Sequence, residues 1–179
     1  MFFIDDSETM QPHWQEVQKL FRLLAYIVKK TDKDGIEMLF TTPAEPIRRR
    51  TTAPLIEILG NIRQPKSKDD FQLRLGGILK NYADRLRQWN SSKNSRLSLR
   101  RCPRPSPLNL YIFTDGLWRN TRGGGNVTSV SDSIRQLVEV LIELKLPFHQ
   151  VGIQFIRFGN DATGKDRLEF LDSRMGLPW

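Results

Sequence analysis

The chain opens MFFIDDSETM (Met1–Met10), and the reading of Phe2–Thr9 decides the fold. Phe2, Phe3 and Ile4 are apolar without alternation, the pattern of a strand buried on both faces. They run straight into Asp5, Asp6, Ser7, Glu8 and Thr9. A buried strand that ends in so many oxygens is either an acidic loop that starts a helix or a binding site. In open parallel sheets ligands collect beyond the carboxyl ends of the strands, where the chain order reverses. The choice therefore turns on whether another strand ends in the same way.

One does. LNLYIFTDG (Leu108–Gly116) is a continuous apolar run that finishes on Thr114, Asp115 and Gly116. A second strand is expected in IEMLFTT (Ile36–Thr42), after an Asp34-Gly35 turn, and another buried strand in QVGIQFIRFG (Gln150–Gly159). Between them lie helical patterns. Trp14, Val17, Leu20, Phe21, Leu24, Ile27 and Val28 recur at three and four residues, behind a helix start near Pro12. LIEILGNI within Pro54–Ile62 predicts a short helix, and Asp69–Trp89 a longer one with Phe71, Leu75, Leu79 and Leu86 on one face. Ser129 and Asp132 read as a capping pair that opens the helix SDSIRQLVEVLIELKL, which Pro147 stops. Asp166–Leu171 predicts a last short helix. Apolar strands alternating with helices predict an α/β fold with a mostly parallel sheet covered on both faces.

A length of 179 residues suits one domain spanning 1–179. No apolar run approaches the roughly 18 residues that cross a bilayer, so no membrane role is expected. Phe2–Ile4 has no basic segment ahead of it and does not read as a signal peptide. The single cysteine, Cys102, cannot form an internal disulfide, which fits an intracellular, cytoplasmic protein. The net charge of +8 is concentrated in Ile47–Arg50 and in the Ser- and Pro-rich segment Asn90–Pro107. That segment reads as a flexible basic loop, 90–107, more than as a nucleic-acid patch.

The two acidic strand ends offer the kind of oxygens that a divalent ion takes. Alternate residues of an extended segment point the same way, so Asp5, Ser7 and Thr9 can bring three oxygens together. Magnesium takes six oxygens at about 2.0–2.1 Å and keeps several waters. Hydroxyls with one or two carboxylates meet that demand but leave the ion under-neutralised, so it still attracts an anionic ligand from outside.

With its Asp5-x-Ser7-x-Thr9, the helix that follows, and the later strand ending Thr114-Asp115-Gly116, the chain resembles a von Willebrand factor A-type domain. GIEMLFTT and VGIQFIRFGND extend the similarity, which covers nearly the whole chain and is nearest to the intracellular A-type domains of fungal proteins. The resemblance implies a doubly wound, Rossmann-like sheet carrying a metal-ion-dependent adhesion site. Asp5, Ser7, Thr9 and Asp115 would there hold Mg²⁺ or Mn²⁺ and capture an acidic residue of a protein partner. It also implies a middle-loop threonine, for which QPKSKDDFQLRL offers Ser67, with Asp69 as the next choice. The family's serine is Thr9 here, which keeps the hydroxyl. The family's last strand and helix have no counterpart in the sequence, as in a shortened chain.

Two other functions fit part of the pattern. A haloacid dehalogenase-type phosphatase needs Asp-x-Asp-x-Thr, and Ser7 stands where its general acid belongs. An A-type fold without metal could serve purely as an interaction domain. Gly123-Gly124-Gly125 lacks the Lys and Ser or Thr of a phosphate loop. His13 and His149 have no partners at metal spacing, and Trp14 and Trp118 read as cover for the sheet.

Overall fold

The computed structural model describes residues 1–31, 35–62, 65, 70–94, 102–118 and 127–176. Five strands form one sheet: β1 (Phe2–Ile4), β2 (Ile36–Phe40), β3 (Ile47–Arg49), β4 (Leu108–Thr114) and β5 (Val151–Arg157), in the order β3-β2-β1-β4-β5. All neighbours are parallel except β2 and β3, which run antiparallel. β1 lies in the middle, between β2 and β4, which fits its composition. Phe2, Phe3 and Ile4 are all fully buried, and only a central strand covers three consecutive apolar side chains. The chain steps one way from β1 to β2 and the other way from β4 to β5. The order thus reverses between β1 and β4, whose carboxyl ends carry Asp5 and Asp115.

The pleat divides the strand residues between two cores. Phe3, Leu39, Leu110 and Ile112 pack with residues of α3 (Phe71–Asn94), α4 (Val127–Glu143) and α5 (Ala162–Glu169). Phe2, Ile4, Met38, Phe40 and Phe113 pack with residues of α1 (Trp14–Thr31) and α2 (Ala53–Asn61). Aromatic pairs fasten both. Phe2 meets Phe21 edge-on at 5.0 Å, and Phe71 stacks on Trp118 at 4.7 Å and on Phe3 at 5.0 Å. Among the described residues no helix is long and apolar enough to cross a membrane.

Several elements differ from their sequence reading. Ile47–Arg49 reads as a basic cluster but forms the edge strand β3, because its backbone pairs with Ile36–Met38 whatever its side chains carry. The first helix does not begin at Pro12. A 3-10 turn, Glu8–His13, holds that proline, and α1 follows from Trp14. α4 begins at Val127, so Ser129 lies inside it and donates to Gln72 Oε1 instead of capping. Asp70, not Asp69, starts α3, accepting from Gln72 N and Leu73 N through one oxygen. The last helix starts earlier than Asp166, at Ala162 behind its cap Asp161, and continues as a π-helical turn, Phe170–Arg174.

The segment 90–107 is also not a free loop throughout. Residues 90–94 belong to α3, and Cys102 N donates to Ser92 Oγ. Arg104 lies over Trp89 and donates to Gln150 Oε1 at 2.8 Å. Residues 95–101 lie outside the described residues.

Candidate functional site

Asp5 is placed by its neighbours on both sides. Its N–H donates to Phe113 O of β4, and one residue beyond the paired Ile4 and Phe40, Thr41 N donates to Ile4 O. Asp5, Thr41 and Thr114 follow Ile4, Phe40 and Phe113, all in the second core, so their side chains turn to the Phe3 face. The result is a row Thr41–Asp5–Thr114 across three adjacent strand ends, each side chain almost fully buried. Asp5 Oδ2 accepts from Thr114 Oγ1 at 2.8 Å and Asp5 Oδ1 from Ser7 N at 3.1 Å. Thr114 Oγ1 can give its proton to Asp5 because it takes two bonds itself, from Gly116 N at 3.1 Å and Trp118 Nε1 at 2.8 Å. This chain of donors fixes the direction of every bond and leaves Asp5 as the terminal acceptor.

Burial nevertheless dominates the electrostatics of Asp5. Loss of hydration pushes its carboxyl from 3.8 up to about 6, against the hydrogen bonds from Ser7 and Thr114, and with a contribution from the nearby negative charge of Asp115. Two carboxyl groups therefore share this buried end of the sheet. Asp115 uses Oδ1 to accept from Leu117 N at 2.8 Å, while its Oδ2 is buried with no hydrogen-bond partner among the described residues. An anionic oxygen in that position calls for a cation or a donor.

Ser7 and Thr9 do come together, with their hydroxyls 3.0 Å apart. They do so in another way than extended alternation. Ser7 precedes the 3-10 turn and Thr9 lies inside it, so the turn folds the second hydroxyl back onto the first. Ser67 and Asp69 lie outside the described residues. Asp6, next to the site, accepts from Thr42 N at 3.0 Å and Thr42 Oγ1 at 2.6 Å and ties the ends of β1 and β2 together. Among the described residues no three His, Cys, Asp or Glu side chains gather. An ion here would rest on hydroxyls beside two carboxylates.

Sequence reasoning missed Thr41, whose hydroxyl is also buried without a partner among the described residues, and the positioning role of Thr114. Both carry the same signal in the sequence. Each is the first polar residue after an apolar strand, in LFTT and IFTD.

The turn at Asp115 is held from below by α5. Gly116 adopts φ +80°, and a Cβ on Gly164 would lie 2.0 Å from Asp115 O. Arg167 donates to Gly116 O at 2.9 Å. Gly164→Ala should therefore push the Asp115 turn off α5 and cost about 1–3 kcal/mol, as other overpacking changes do. Urea unfolding is the measurement, and a midpoint equal to wild type would contradict this close approach. Compared with known proteins, the chain matches no family model, and a search of the curated proteins finds none similar to it.

Proposed function

We propose that the chain is an intracellular protein-binding module of the von Willebrand factor A type, with no reaction of its own, that captures a partner protein's carboxylate through Mg²⁺ or Mn²⁺. The observation that carries this reading is the buried Oδ2 of Asp115, without a partner among the described residues, beside the buried Asp5. Asp5, Ser7, Thr9 and Asp115 would hold the ion, with Ser67 as the candidate from the middle loop. Their chemistry fits a hard cation, being all oxygen and only partly anionic. A bound ion would supply an electrophilic position for an anionic oxygen from outside. Thr114 and Trp118 keep Asp5 oriented for this role, and the α5 contacts keep Asp115 in place.

The fold lends support. An order that reverses between β1 and β4, with alternate strand residues divided between two helix-bearing cores, agrees with a doubly wound sheet flanked on both faces. Nucleic acid is the less favoured partner in this reading: Arg104 of the basic segment is engaged with Gln150 and Trp89, while Arg96, Arg100 and Arg101 lie outside the described residues.

Thermal unfolding tests the proposal. Mg²⁺ or Mn²⁺ should raise Tm of the wild-type chain, because an ion that binds only the folded state stabilises it by mass action. Asp115→Asn, which keeps an acceptor for Leu117 N, should abolish the rise. A wild-type Tm that stays constant up to millimolar ion would leave a fold that works without metal and end the adhesion mechanism.

A further inference from the structure

The two edges of the sheet are protected very differently. β3 is three residues long and carries Arg48 and Arg49, with Arg50 next, so two such edges repel each other. β5 is seven residues long and bears one charge, Arg157, at its end. Its inner side is fully paired with β4 from Leu108↔Val151 to Thr114↔Arg157. Among the described residues no strand pairs with its outer side.

The direction of each backbone group along β5 follows from one bond. Phe158 N donates to Thr114 O, so Phe158 turns its N–H towards β4. Backbone groups alternate along a strand, so Ile156, Gln154 and Gly152 face β4 as well. Val151, Ile153, Phe155 and Arg157 then present their N–H and C=O groups outwards. The side chains of Val151, Ile153 and Phe155 sit on the first core and border a groove of about 790 Å³. Leu137 and Leu141 of α4, Leu168 of α5, Leu171 and Met175 form its apolar part, Lys165, Glu169 and Asp172 also line it, and exposed Phe148 borders it.

We propose that this edge pairs antiparallel with β5 of a second copy of the chain, with Gln154 on the two-fold axis. Full overlap of a seven-residue strand with itself puts its fourth residue on the axis, and that residue is Gln154. In this register Ile153 stands opposite Phe155 of the other copy, and Val151 opposite Arg157. All four turn their backbone groups outwards, so each of these opposed pairs is of the hydrogen-bonded kind. The register is thus consistent with the direction of every backbone group, which a shift by one residue would not be. The side chains agree too. Ile153 and Phe155 form two aromatic–β-branched pairs on the groove side, and Gly152 leaves room for Ile156 on the other face. The only charge within β5, Arg157, meets Val151 and not its own copy. A second copy of this chain is therefore an occupant that β5 fits in the charge of its own residues and in the direction of its hydrogen-bonding groups. Antiparallel pairing also sends the two sets of strand ends in opposite directions, so both candidate sites stay open.

The axis position supplies a sharp test. Gln154 is exposed, and in this register it forms a non-hydrogen-bonded pair with its own copy, in which side chains lie closest. Sedimentation of the wild-type chain should give twice the chain mass. Gln154→Lys and Gln154→Glu should each halve that mass, because like charges then face each other across the axis. An equimolar mixture of the two variants should restore the doubled mass, which also shows that both are folded. A monomeric wild type, a dimer that withstands Gln154→Lys, or a mixture that stays monomeric would overturn the proposal. The first of these would leave the edge to an extended segment of another protein.

Discussion

Phe71→Ala should cost about 3–5 kcal/mol of folding stability, the range for a buried phenylalanine reduced to alanine. Phe71 is almost fully buried at the start of α3, stacked between Phe3 of the central strand and Trp118. Its loss opens a cavity on the sheet and removes the aromatic cover of Trp118. Trp118 Nε1 is one of the two donors to Thr114 Oγ1, which in turn holds Asp5. The damage should therefore reach the candidate site as well as the core. Urea unfolding measures the first effect and the near-ultraviolet circular dichroism of Trp118 the second. A loss below about 1 kcal/mol would mean that α3 collapses onto the sheet and fills the gap, against the rigid stack described above.

Asp5 should make the metal-free protein less stable as pH rises, opposite to the usual carboxylate. The sign follows from the direction of the shift. Its carboxyl titrates near 3.8 when unfolded and near about 6 when folded. Below the lower value the acid is neutral in both states and its contribution is fully present. Between the two values the unfolded chain ionises freely while the folded one resists, so stability falls. Above about 6 the buried carboxylate exerts its full cost, about 3 kcal/mol for that interval. Urea unfolding of wild type and Asp5→Asn in a chelating buffer, from about pH 4 to 7, should show the difference between the two curves changing by about that amount. Parallel curves would mean that Asp5 is hydrated in solution. With Mg²⁺ present the wild-type curve should flatten, because an ion held by Asp5 and Asp115 favours the ionised form.

Much of this architecture was legible in the sequence because burial writes itself into composition. FFI, IEMLF and LNLYIFT are the buried strands, with Asn109 of the last exposed, and the three-and-four spacing of α1 marks its inward face except at Ile27, which is exposed. Asp5 and Asp115 could be paired without coordinates, since residues at strand ends beside a reversal of chain order become neighbours. β3 was illegible for the opposite reason. It buries little, so nothing in IRRR marks it as a strand, and its hydrogen bonds are decided by what lies beside it. The convergence of Ser7 and Thr9 was expected, but the 3-10 turn that produces it was not. Capping by Asp70 and the interior position of Ser129 were misread because many residues near a helix start can cap, and packing selects among them.

By itself the sequence determined which segments are apolar, that helices alternate with strands, and that two acidic strand ends exist. These are local properties of hydrophobic pattern and spacing. Only the tertiary structure decided that Thr114 donates to Asp5, that burial lifts Asp5 to about 6, and that Asp115 Oδ2 has no partner among the described residues. It alone also decided that β5, expected as a buried strand, is a half-exposed edge, because among the described residues only β4 pairs with it. Hydrogen bonds, desolvation and strand order depend on residues more than a hundred positions apart, such as Asp5 and Thr114, and no local pattern encodes which of them will meet.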